Sequence, residues 1–526
     1  MKAQNRIVLN TGATYARSLL SVAFGLFSTR WIFKALGQTD LGLYGVVGSV
    51  IVFITYINGS LSGSVSRFYA YSIGVGRRVG SAEGQEDLCR WFNMALLVHT
   101  VIPLALICIG YPLGIYALQH WLVIPSDRLA ACTWVFRMAM LSALCAMIAV
   151  PYSAMFQAHQ LIAELSLLTM VQTVGNFVCA YLLMRLPCDH LIAYAGYVML
   201  LSISVTAIVV LWAHFKFDCC RVNLRYMLDY LRLRQFFAFA GAKIFGSTCF
   251  ILRTQGGAIL LNRFFMPFVN AAYSISTQVS GHTAALSQAL VGALQPVIAA
   301  KAGEKDRVGM MKYAVSSCRM ASLLVMLFVI PLIVEIDDVL ALWLVNPPEY
   351  TSMFCGCMLV MLIFDKMSIG YMMAANAYGR KIVFYEILLG LILLSALPLS
   401  YVCFRLGASP WIFAANLAGT MFLNSFARVL FCRWQLGMSI SKWIMSVLLP
   451  IGILSLLSVS FAALPRLFVP AGFGRIMLVG LFSAALIPVL GWKLVFEADE
   501  RDFMRKLSYQ VVERVRNARK HHSKVS

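Results

Sequence analysis

The chain has 526 residues, of which 60% are hydrophobic and only 12% charged, and it carries a net charge of +21. That composition excludes a soluble monomer. The basic excess gathers in alternate loops and in the C-terminal tail, so nucleic acid is not needed as a partner. The fourteen cysteines fall mostly in apolar stretches, where thiols act as small apolar groups, and they predict neither a disulfide framework nor a metal site.

Fourteen apolar stretches follow in chain order at 9–33, 41–66, 91–117, 129–155, 161–184, 191–214, 235–262, 268–299, 315–336, 352–376, 382–404, 410–432, 443–464 and 473–496. Each has the roughly 20 or more residues a spanning helix needs. Because lipid offers no hydrogen-bond partners, they are read as helices of an all-α polytopic membrane protein, and their length excludes barrel strands. Arg17 interrupts the first stretch and no small-residue cleavage site follows, so it is predicted to stay as a helix.

Loops after the even-numbered helices hold most of the lysine and arginine, including Arg77, Arg78, Lys216, Arg221, Arg225, Arg232, Arg234, Lys301, Lys305, Arg307, Arg380 and Lys381. The opposite loops carry isolated cations such as Arg128, Arg185, Arg405 and Arg466. The positive-inside rule then predicts that both termini are cytoplasmic. All loops are too short for a soluble catalytic domain, so no catalytic residue is nominated and a non-enzyme is expected. The segment at 497–526 is a basic cytoplasmic tail, and Phe503, Leu507, Val511 and Val515 recur every four residues within it. It reads as an amphipathic helix on anionic lipid or as a solvated helical tail.

The first and seventh helices share a pattern. Ala16, Arg17, Ser21, Phe24 and Ser28 recur at the same spacing as Ala242, Lys243, Ser247, Phe250 and Thr254. Tyr44, Gly63 and Ala70 continue it against Tyr273, Gly292 and Ala299. Six helices separate the copies, so a duplication would relate two halves about an axis along the membrane normal. The expected organisation is a six-helix lobe at 1–214, a cytoplasmic linker at 215–234, a second six-helix lobe at 235–434, and two further helices at 435–496. Such a transporter holds its substrate between the lobes.

Asn10, Thr14, Arg17, Ser21 and Ser28 lie in one stripe of the first helix, and Lys243, Ser247 and Thr254 form its counterpart, with Arg253 on the same broad face. These cations either snorkel to the headgroups or face a wet interior, since a charge inside a spanning helix costs about 2.5–3.5 kcal/mol. The eighth helix carries Asn270, Ser274, Thr277, Gln278, His282, Thr283, Ser287 and Gln288. Its hydroxyls and amides suit either a sugar-binding wall, with Gln278 and Gln288 as candidates, or polar bridges between helices. Asp365, near the middle of the tenth helix, is read as a site for a coupling proton or sodium ion, or as a carboxylate neutralised by Lys366 or by another helix.

Asn5-Arg6-Ile7-Val8-Leu9-Asn10, Ser28-Thr29-Arg30, Ala35-Leu36-Gly37, Asp40-Leu41-Gly42-Leu43-Tyr44 and Ser66-Arg67-Phe68 resemble the bacterial polysaccharide and O-antigen flippases of the multidrug/oligosaccharidyl-lipid/polysaccharide (MOP) exporter superfamily. The resemblance implies a V-shaped pair of six-helix bundles, as in MATE transporters, in the bacterial cytoplasmic membrane. It implies a flippase of the lipopolysaccharide or O-antigen type, carrying a polyprenyl-diphosphate-linked glycan outward, with membrane lipids and polysaccharide-assembly proteins as partners and no bound cofactor. A cationic cavity would bind the diphosphate, and Arg17, Lys243 and Arg253 are the matching residues. A multidrug exporter of organic cations is the alternative within the superfamily, and a membrane polysaccharide polymerase or ligase is the alternative of another class.

The charge pattern makes a direct prediction. Single thiols introduced at Arg78, Arg225 and Glu304 should react with an impermeant maleimide only when the cytoplasmic side is opened. Labelling of any of them in intact cells would overturn the topology.

Overall fold

In the computed structural model the chain is described over residues 3–502, apart from positions 80, 160, 186, 304–305, 345, 380 and 498–499. Side chains at 3–12, 53–64, 74–82, 238–247 and 286–293, with scattered neighbours, lie outside the description. The remainder of the basic tail, 503–526, lies outside it as well.

The described residues form helices and no strands. In order these are α1 (Ala3–Val79), α2 (Ser81–Tyr116), α3 (Leu129–Ile148), α4 (Val150–Ala158), α5 (Ile162–Leu183), α6 (His190–Lys216), α7 (Tyr230–Phe264), α8 (Pro267–Gly303), α9 (Arg307–Val334) and α10 (Ile336–Leu344). They continue with α11 (Thr351–Lys366), α12 (Ile369–Tyr378), α13 (Ile382–Leu394), α14 (Ala396–Arg405), α15 (Ile412–Leu436), α16 (Ile440–Trp443), α17 (Leu449–Ala462), α18 (Pro465–Phe468) and α19 (Phe473–Leu494). Helix is present at every one of the fourteen predicted stretches. Among the described residues, nine segments are long and apolar enough to cross a membrane, or ten if α11 and α12, bent by 46°, form one broken span. The long helices α7, α8 and α15 are not among them.

The 77-residue α1 is two helices joined at Gly37, whose φ of 71° and ψ of −174° break the helical run. Glycine reaches that conformation without the steric penalty a side chain would add. The break leaves carbonyls without intrahelical donors, and one of them, Ala35 O, accepts from His190 Nδ1 at 3.0 Å.

By contacts the chain divides into two compact units. One comprises residues up to Gln278 with Trp343–Phe354 and Val383–Thr420; the other comprises Val279–Leu342, Cys355–Ile382 and residues from Met421 onward. In the former, α1 packs along α2, α5 and α7. At its linker end, the 217–229 segment folds back onto the start of α2 over a core that includes Tyr69, Phe92, Met155, Phe156 and Phe236. Asn93 ties this loop down, accepting from Asn223 N at 2.7 Å and donating to Arg221 O at 3.3 Å. Arg232 bridges Asp87 at 2.5 Å and Asp229. Burial pushes the Asp229 carboxyl up, but the backbone N–H and the guanidinium of Arg232 outweigh it and hold Asp229 below the usual carboxylate range.

The same fold-back corrects the expectation that the cysteines form no disulfide. Cys89 and Cys219 are bonded, with Cα atoms 4.5 Å apart. The loop turn at Asp218–Cys220 seats Cys219 on α2, a contact across 130 residues that local spacing does not encode. Its neighbour Cys220 is a free, buried thiol that burial pushes up to about 12, so it supplies little thiolate for exchange.

In the second unit α9 is the central helix, packed by α12, α17 and α19. Gly370 allows α12 to approach so closely that an added Cβ would lie 1.8 Å from Ala314 O. Two buried arginines fix α19 and the first residues of the tail. Arg319 on α9 (2% exposed) binds Glu500 at 2.9 Å, Glu497, and the Ser446 carbonyl at 2.8 Å. Arg475 on α19 binds Glu335 at 2.9 Å and Asp338 beyond the other end of α9.

Peptide mapping without reductant should find Cys89 joined to Cys219 and Cys220 alkylated only after unfolding. A Cys89–Cys220 product would contradict the packing of this loop, and free thiols at both 89 and 219 would contradict the bond.

Candidate functional site

Away from the linker, the first unit gathers the break in α1, the 122–128 loop, the start of α6 and the α7–α8 turn at one end, referred to here as the kink end. Arg128 organises it. Its Nε donates to Asp40 Oδ1 at 2.9 Å, a second nitrogen bonds Asp40 Oδ2, and Nη1 donates to Asp189 Oδ2 at 2.7 Å. Asp189 is also the N-cap of α6, accepting from Leu191 N and Ile192 N at 3.0 and 3.2 Å.

Beside this cluster, α1 beyond the break lies directly against α8. A Cβ added at Gly42 would fall 2.0 Å from Pro267 O, and one at Gly45 would fall 2.5 Å from Ser274 Oγ. Further along, Thr29 donates to Gln278 Oε1 at 2.5 Å. A two-point bond completes the closure: the fully buried Asn262 on α7 accepts from Val123 N at 2.7 Å and donates to Val123 O at 3.2 Å. The side-chain amide thus pairs with a loop peptide as a second backbone strand would, and both partners are satisfied.

The structure places the nominated site residues in different settings. Arg17 is half-buried and Ser21 exposed on α1. Arg253 on α7 is 2% exposed, with its guanidinium 5.0 Å from the centre of the Phe250 ring. Gln278 is engaged by Thr29, so in this structure it bridges α1 and α8. Lys243 and Ser247 on α7 and Gln288 on α8 have side chains outside the described residues. Asp365 has both oxygens occupied, Oδ2 by Lys366 at 3.0 Å and Oδ1 by Arg428 at 2.9 Å. Arg428 also donates to Ser368 Oγ at 3.1 Å. A coupling role for Asp365 requires one of these pairs to open.

Several other charged side chains have partners within the chain. Glu164 lies 3.8 Å from Lys216, and Arg137 donates to Tyr111 Oη at 3.1 Å. Arg128, Arg319, Arg428 and Arg475 each hold at least one carboxylate. Arg17 differs from them, because among the described residues no carboxylate pairs with it. Sequence reading did not identify Asn262 or the Arg128–Asp40–Asp189 cluster. Asp40 and Gly42 belong to the motif that carries the family resemblance, but nothing local to it points to positions 128 or 267.

Cysteines replacing Val123 and Asn262 should crosslink in membranes without a spacer. Asn262→Ala leaves the half-buried Val123 peptide without its partners, at a cost of about 1–3 kcal/mol, and should raise thiol reactivity at a cysteine placed at Gly48, where an added side chain meets nothing within 4 Å. Unchanged reactivity there would mean that the amide pair does not hold the kink end shut.

No protein-family model matches the chain, and no curated protein sequence does. Solved structures do. The fold is similar to that of the lipid II flippase MurJ in an inward closed conformation, with a TM-score of 0.67, 12% identity, and 92% of this chain and 99% of that chain covered. It is similar to an inward-facing multidrug resistance MATE family transporter of the MOP superfamily, with a TM-score of 0.64, 13% identity, and coverage of 81% and 98%. It is also similar to a MOP superfamily transporter from Pyrococcus furiosus, described as having a binding pocket of reverse polarity that suggests a different function (TM-score 0.60, 13% identity, coverage 82% and 95%). The described helices therefore share the fold of MOP superfamily transporters.

Proposed function

We propose that the chain is a flippase that moves a lipid-linked oligosaccharide or polysaccharide repeat unit across the cytoplasmic membrane by alternating access. The observation that carries this reading is Arg17. A guanidinium inside a spanning helix is costly unless an anion meets it, and Arg128, Arg319, Arg428 and Arg475 obtain that anion from within the protein. Arg17 has no such partner among the described residues, so a diphosphate headgroup arriving from the membrane would supply the missing charge. Lys243, at the equivalent position of the repeat, would provide a second contact, and the buried Arg253 would add positive potential nearby. Bidentate guanidinium–phosphate bonding is strong and directional, while the prenyl tail can stay in lipid.

An organic-cation exporter would need an available carboxylate in its cleft. Asp40, Glu164 and Asp365 are each within reach of cations of the chain itself, which supports the anionic substrate.

The test is flipping of a fluorescent polyprenyl-diphosphate oligosaccharide in proteoliposomes, read by lectin protection. The Arg17→Ala, Lys243→Ala double variant should lose roughly tenfold or more of the rate, the loss expected when charge-assisted bonds to a phosphate disappear. Arg17→Lys should retain part of it. Full flipping by the double variant, or efflux of ethidium without glycolipid movement, would overturn the proposal.

A further inference from the structure

At the kink end a cleft of about 600 Å³ opens between the Ala117–Trp121 turn that follows α2, the last turns of α7 and the start of α14. Its walls are mainly apolar, formed by Ile259, Leu260, Leu397 and their neighbours. An added Cβ at Gly256 would meet Leu397 Cδ1 at 2.9 Å, so α7 and α14 close the floor. Two aromatic side chains stand at its edges, Trp121 (60% exposed) and Tyr401 (44% exposed). Arg263 lines the same cleft, is exposed, and has no carboxylate partner among the described residues. A second guanidinium stands one turn on, where Arg405 donates to Tyr401 Oη at 3.2 Å.

This combination has a definite chemistry. Apolar walls take a hydrocarbon chain but no free anion. Trp and Tyr are the side chains that settle at the hydrocarbon–water boundary. Two guanidiniums at that boundary without internal carboxylates favour a phosphate that carries net negative charge. We infer that the cleft is a binding site for an anionic phospholipid of the surrounding bilayer, with an acyl chain between α7 and α14 and the phosphate at Arg263 and Arg405. The inference does not depend on which substrate the transporter carries. The site also adjoins the Asn262–Val123 bond, since Arg263 follows Asn262 and Trp121 lies two residues before Val123, so a seated lipid braces the closed kink end.

The experiment uses the full chain in nanodiscs containing phosphatidylglycerol or phosphatidylcholine bearing a diazirine on one acyl chain. Photolysis and peptide mapping should place adducts on 256–263 and 397–401, with phosphatidylglycerol favoured by roughly fivefold for each arginine engaged. Arg263→Gln and Arg405→Gln should each reduce that preference. Leu397→Trp should fill the cleft and remove the adducts while the cysteine pair at 123 and 262 still crosslinks, which reports an intact fold. Equal adducts from the two lipids in the unmodified protein would overturn the headgroup assignment. Adducts spread evenly over the lipid-facing helices would overturn the site. The lipid comparison decides the matter even if a variant fails to fold.

Discussion

A guanidinium among packed helices is costly without a compensating partner, and several of this protein's helix contacts come from how that cost is met. Arg128 draws together the break in α1, the α2–α3 loop and the cap of α6 because Asp40 and Asp189 are the anions within reach. Arg475 and Arg319 do the same for α9 and α19, and Arg428 joins α15 to the junction of α11 and α12. Such pairs add little net stability over a well-packed apolar core, but losing one partner is expensive. Against that pattern, Arg17 is half-buried with no carboxylate partner among the described residues, and the proposed headgroup contact rests on that difference.

The second determinant is how closely helices approach. Without a hydrophobic driving force in lipid, helices associate through small residues that let backbones touch. Gly42 and Gly45 do this for α1 and α8, and Gly370 does it for α9 and α12. These contacts are steric, whereas Asn262–Val123 and Thr29–Gln278 are polar. A contact built from both kinds packs tightly and keeps its polar groups paired.

Much of the fold was legible because lipid imposes a strict local rule. About twenty apolar residues in a row must be helical, and helix lies at each stretch read that way, while nine or ten segments among the described residues, against fourteen expected, are long and apolar enough to span. Gly37, seen in the sequence only as part of Ala35-Leu36-Gly37, proved to be the break between the first two. Neutralisation of Asp365 by Lys366 or by another helix was one of two readings, and both cations are in contact with it. The kink end was not legible. Asn262 meets Val123 across 139 positions, and the amide gives no sign of its partner. The disulfide was missed for the same reason, since Cys219 reaches Cys89 only after the loop folds back. Gln278 was read as a sugar contact or a bridge between helices, and the structure has it bridging. Lys243, Ser247 and Gln288 rest on the repeat and on helix position alone.

The pairing of Arg319 with Glu497 and Glu500 makes the start of the tail part of the membrane domain. These acids stand ahead of the basic run, and the deep arginine they neutralise lies on α9, well over a hundred positions earlier in the chain. A truncation that stops short of Glu497 strips two anions from a buried guanidinium, whereas one placed after Arg501 leaves them in place. Loss of activity after the shorter cut would therefore report damage to helix packing rather than a missing contact between the tail and lipid. Only shortening beyond Arg501 isolates what the basic segment itself contributes.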